Sequence, residues 1–70
     1  MNTKSCEEIY IKNVESGIRG IRLGAKTPSD VASTVATNFN RLKSVNLGMY
    51  EDLMDKYENV VRDYNNRNRK

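Results

Sequence analysis

The chain of 70 residues has no histidine, no tryptophan, one cysteine (Cys6) and one proline (Pro28). Each scarcity removes a class of function. A lone cysteine cannot close a disulfide within the chain. With no histidine beside it, none of the usual zinc ligand sets can be assembled. A histidine general base, a Ser–His pair and a Cys–His pair are likewise excluded within one copy. Cys6 reads as a small, semi-apolar residue near a helix start. Long hydrophobic runs are also missing: the longest is Ile9-Tyr10-Ile11, far below the roughly 20 residues of a spanning helix. The expectation is a cytoplasmic chain with no signal peptide, membrane segment, metal or cofactor, and no enzymatic activity.

A chain this short buries only about 60% of the surface it exposes when unfolded, so its core is marginal. Small domains often compensate with a disulfide, a metal or a second subunit. The first two are unavailable here, which raises the expectation of self-association. Formal charge is +3 and unevenly spread. Arg19, Arg22, Lys26, Arg41 and Lys43 face only Asp30 in the middle section. Towards the end, Glu51, Asp52, Asp55 and Glu58 precede a run of bases that ends in Arg67, Arg69 and Lys70.

Thr27-Pro28-Ser29-Asp30 is the strongest local signal. A hydroxyl stands at the N-cap, proline at the first helical position, and a carboxylate near the positive helix end. Val31, Ala32, Val35, Ala36, Phe39 and Leu42 then recur at helical steps, predicting a helix over 28–43. Asn46 can cap a following helix over about 48–65, whose apolar arc holds Tyr50, Leu53, Met54, Tyr57, Val60, Val61 and Tyr64. Asp52 with Lys56, and Glu58 with Arg62, stand at the four-residue spacing of helix ion pairs. A polar tail, 65–70, is expected to fray.

The first third admits two readings. Ser5-Cys6-Glu7-Glu8 has capping-box spacing, and Ile11, Val14, Ile18, Ile21 and Ala25 follow helical steps, predicting a helix over 6–25. The alternative is an N-terminal hairpin of IYIKNV and IRGIRL about Glu15-Ser16-Gly17, which would make the fold α+β. On a helix, Gly17, Gly20 and Gly24 form one stripe, open to close approach by a helix or a phosphate chain, or else they mark an irregular segment. Arg19, Arg22 and Lys26 form a second stripe. The spacing does not satisfy the P-loop pattern. Gly17-Ile18-Arg19-Gly20 resembles the Gly-x-x-Gly clamp of KH domains, but Thr27-Pro28 follows too soon and the required strands are absent. A helix-turn-helix reader is disfavoured because Glu51, Asp52 and Asp55 would face phosphate.

The fold expected is therefore all-α: one domain of three helices, as a compact bundle or a helical dimer. The expected function is that of a small non-enzymatic interaction protein that binds a protein partner, self-associates, or does both. Small regulators and inhibitors, including those of phages and plasmids, are analogous in type. The contact candidates are Tyr50, Met54, Tyr57 and Tyr64. Tyr50, Tyr57 and Tyr64 repeat every seven residues around Leu53 and Val60, a helix-contact seam that also suits packing within the chain. The alternative is a nucleic-acid-binding module using Arg19, Arg22, Lys26, Arg41 and Lys43 with the tail bases, residues that equally suit a solvated face.

Overall fold

The computed structural model describes residues 3–67, with side chains described from Cys6 onward. Asn68, Arg69 and Lys70 lie outside the described residues, and with them part of the tail expected to fray. Three helices follow in order: α1 (Thr3–Arg22), α2 (Pro28–Val45) and α3 (Leu47–Arg67). The all-α reading holds, and among the described residues there is no strand. The helices run up, down and up in a rod of 48 × 19 × 16 Å.

The hairpin alternative is overturned. IYIKNV and IRGIR lie in one unbroken helix with Leu23 just past its end, and the apparent alternation has a simple cause. Ile9 and Leu23 point away from the bundle, 55% and 73% exposed, while Val14, Ile18 and Ile21 fall on the buried arc. The boundaries also shift. Ser5 lies inside α1 and so does not cap a helix beginning at residue 6. At the other end α1 stops at Arg22 rather than 25, because Gly24 adopts φ +79°, the left-handed conformation that ends helices. The Gly24 N–H donates to the Ile21 carbonyl at 3.1 Å and the Ala25 N–H to the Gly20 carbonyl at 2.9 Å. These are the two bonds of a Schellman motif. Ala25, expected on the apolar arc, is consequently exposed in the turn.

The α2 start is as the local chemistry dictates. The Asp30 N–H donates to Thr27 Oγ1 at 3.2 Å, and the Thr27 N–H donates to Asp30 Oδ2 at 2.9 Å, a reciprocal capping box. These hydrogen bonds, the backbone one first, hold the Asp30 carboxyl below its ordinary pKa. The single residue Asn46 joins α2 to α3. Its N–H donates to the Leu42 carbonyl at 2.7 Å, its Oδ1 accepts from the Met49 N–H at 3.0 Å, and its Nδ2 donates to Glu7 Oε2 at 2.9 Å. One side chain thus starts α3 and ties it to α1. Residues 65–67, expected to fray, continue α3 as helix.

The core combines Val14, Ile18 and Ile21 of α1 with Val31, Val35, Phe39 and Leu42 of α2 and Leu53 and Val60 of α3. Ala32 and Ala36 are exposed, contrary to the arc predicted for them. The buried strip of α2 is rotated towards α1 and includes Asn38 instead. Asn38 is 7% exposed; it accepts from Asn13 Nδ2 at 3.1 Å and donates to the Thr34 carbonyl at 2.7 Å. A buried amide is tolerated because both its ends are bonded.

Candidate functional site

Helix α3 carries the contact candidates, and its apolar arc is wider than its buried strip. Leu53 and Val60 are buried, while Tyr50, Met54, Tyr57, Val61 and Tyr64 are half-buried against the core. The rings of Tyr50 and Tyr57 meet buried Phe39 edge-on, with centroids 5.6 and 5.8 Å away. Such T-shaped geometry suits the ring quadrupoles. Both tyrosines therefore lie on the α2 side of α3. At about 100° per residue, Val61 and Met54 sit just beyond Tyr50 on this same side, at the outer edge of the seam.

Across the seam, α2 presents little bulk. Ala32 and Ala36 precede Phe39 by seven and three residues, which puts them on its flank, and both are exposed. Lys43, one turn after Phe39, closes one end with its Nζ 5.7 Å from the centre of the Tyr50 ring. Near the other end, Tyr57 and Val61 line a shallow open cleft with Glu58, Arg62, Asn65 and Asn66. The α2/α3 face is thus a strip of half-covered aromatic and aliphatic side chains beside two alanines. Tyr64, the last of the heptad tyrosines, packs on the core and borders the α1–α2 turn beside Gly24, Thr27 and Arg67.

The basic candidates are not brought together. Arg19 and Arg22 lie along the α1/α3 groove with Lys56, and Arg22 shares a cleft of about 480 Å³ with Lys56, Asp63 and Arg67. Lys26 leaves this line because α1 has already ended. Its aliphatic stem folds over Gly20, approaching within 3.2 Å of where a Cβ would stand. Arg41 and Lys43 occupy the opposite end of the bundle, about 20 Å or more along α2 from its start at Pro28, at 1.5 Å per helical residue. There Arg41 faces the Tyr10 ring at 6.0 Å, and Lys43 faces Tyr50. Glu15 and Asp63 line the same groove as Arg19 and Arg22, which dilutes its positive field. Lys56 is the cation that sequence reasoning left out of this cluster, and Arg67 is the tail base that joins it. Only the α1/α3 packing angle brings them to it.

The three glycines also separate. Gly17 is buried against α2, where an added Cβ would lie 3.0 Å from Val35 Cγ2. Gly20 lies under Lys26, and Gly24 ends the helix. Gly17–Gly20 is therefore mid-helix and forms no phosphate-clamping loop. Among the described residues no group of three or more histidine, cysteine, aspartate or glutamate side chains is placed to hold a metal. No described helix is long and apolar enough to cross a membrane. Set against protein-family models, curated proteins and solved structures, the chain matches none.

Proposed function

We propose that this chain is a non-catalytic helical interaction protein whose contact surface is the α2/α3 face. One observation carries the reading. Tyr50, Met54, Tyr57 and Val61 remain half-buried along a seam whose other side offers Ala32 and Ala36. Large side chains that are partly covered by the core lose little further conformational freedom when a partner covers the rest. Tyrosine and methionine are favoured in such positions because they offer broad apolar area with an adaptable tip or chain. The alanines let a second helix approach without displacing long side chains. A nucleic-acid reading has less support, because its five basic candidates are split between opposite ends of the rod.

Site-specific photo-crosslinking tests the face. A photoreactive phenylalanine analogue replaces Val61 in one preparation and exposed Lys12 of α1 in another, and each is expressed in cells. Position 61 should yield protein cross-links, whether to another protein or to a second copy, well above position 12. Equal yields at the two positions, or none at 61, would remove the α2/α3 face as the contact surface.

A further inference from the structure

We infer that the α1/α3 groove is a second contact surface, separate from the α2/α3 face, and that it takes an acidic stretch of a protein partner. Four cations line it: Arg19 and Arg22 from α1, Lys56 and Arg67 from α3. All four are exposed. Glu15 and Asp63 line the same groove. Among the described residues, however, none of the four cations makes an ion pair or a side-chain hydrogen bond. Their donors all remain open to a ligand, and four positive charges stand against two negative ones.

Length and chemistry set the kind of ligand. From Lys56 to Arg67 the α3 wall runs about 16 Å at 1.5 Å per residue, room for about five residues of extended chain. Buried Leu53 and Val60 lie at its floor. Arginine engages carboxylates and phosphates alike, often through two parallel hydrogen bonds, so the cations alone do not choose between them. The acceptors do. A nucleic-acid backbone presents phosphate oxygens, which only accept hydrogen bonds and which Glu15 and Asp63 repel. Among the described residues that line the groove none is aromatic, so a base has no ring to stack on. A peptide brings both kinds of partner. Its carboxylates suit the cations, while its backbone N–H groups donate to Glu15, Asp63 or the Asn66 carboxamide.

Fluorescence anisotropy on the full chain tests this with two labelled probes of equal charge. One is a ten-residue peptide of alternating glutamate and glycine, the other a short thymidylate strand. At low salt the peptide should saturate below millimolar protein, and the strand should bind at least about tenfold more weakly. Arg22→Glu with Lys56→Glu should weaken peptide binding at least about tenfold. Arg41→Glu with Lys43→Glu changes the net charge equally at the far end of the rod and should weaken it less than about threefold. Circular dichroism checks that each variant keeps its helicity. Should the groove reversal unfold the chain, Lys56→Gln with Arg67→Gln removes the α3 cations without adding acids, and peptide binding should still fall. A peptide that does not saturate at low salt overturns the inference. So does equal weakening by the groove and far-end variants, which would show net charge alone at work. A strand that binds as tightly as the peptide, and is lost in the groove variant, gives the groove to nucleic acid instead. Cross-linking from position 61 reports on the other face, so the two readings fail separately.

Discussion

At Thr27 the chain needs only its own neighbours. The hydroxyl, the proline and the Asp30 carboxylate lie within four consecutive residues, and their hydrogen bonds form wherever the helix starts. Replacing Thr27 with alanine should cost about 1 kcal/mol, within the range of N-cap deletions, read as a lowered urea midpoint. Asp30 adds a pH dependence. Its folded pKa is lowered by hydrogen bonds from Thr27, so its stabilisation is fully present above the unfolded value of about 3.9. That stabilisation is lost as pH falls through the lower folded value. Wild type should therefore be more stable than Asp30→Asn at pH 7, and the difference in their urea midpoints should close towards pH 2. A gap that persists in acid would show that the carboxylate is not its source. Asn38 shows the opposite limit of residue-level reading. Nothing local marks it as buried, because its burial depends on pairing with Asn13, 25 positions away.

Among the elements, α1 carries the largest difference between reading and structure. Its helical arc was legible in Val14, Ile18 and Ile21, but three glycines at helical spacing concealed three separate roles. Gly17 permits close packing on α2. Val35, which an added methyl would strike, is buried and β-branched, so it has little freedom to move aside. At Gly20 the neighbour is the flexible stem of Lys26. Gly20→Ala should accordingly raise the thermal midpoint, gaining up to about 1 kcal/mol in helix propensity, while Gly17→Ala should lower it. The same midpoint for both variants would mean that α1 and α2 do not meet at Gly17. The α3 arc was read correctly as a whole; the division between its buried and half-buried members was not. That division is set by where Phe39 sits. A similar limit applies to Arg62, which donates to Asn59 Oδ1 at 3.2 Å although sequence spacing offered it Glu58.

For the whole molecule, stability depends on a few side chains at the meeting of all three helices. Leu53, 1% exposed, is one of them, and Leu53→Ala should cost about 2–5 kcal/mol as a cavity-forming change. Total stability near 0.05–0.15 kcal/mol per residue leaves a chain of this length little margin. Circular dichroism should find Leu53→Ala largely unfolded at moderate urea. Ala36→Ser, on the same sequence criterion also an apolar-arc position, should stay within about 0.5 kcal/mol of wild type. A comparable loss at Ala36 would contradict its exposure. What the amino-acid order determined unaided is what depends on neighbours within a helical turn or two: the second and third helices, the caps at Thr27 and Asn46, and the apolar arcs. Only the tertiary structure decided which part of each arc is covered, where each glycine faces, and that the basic residues split between two ends. Those outcomes depend on the rotation of one helix against another. That rotation is set by the packing of Phe39, Val35 and Leu53 across large sequence separations, which no local spacing encodes.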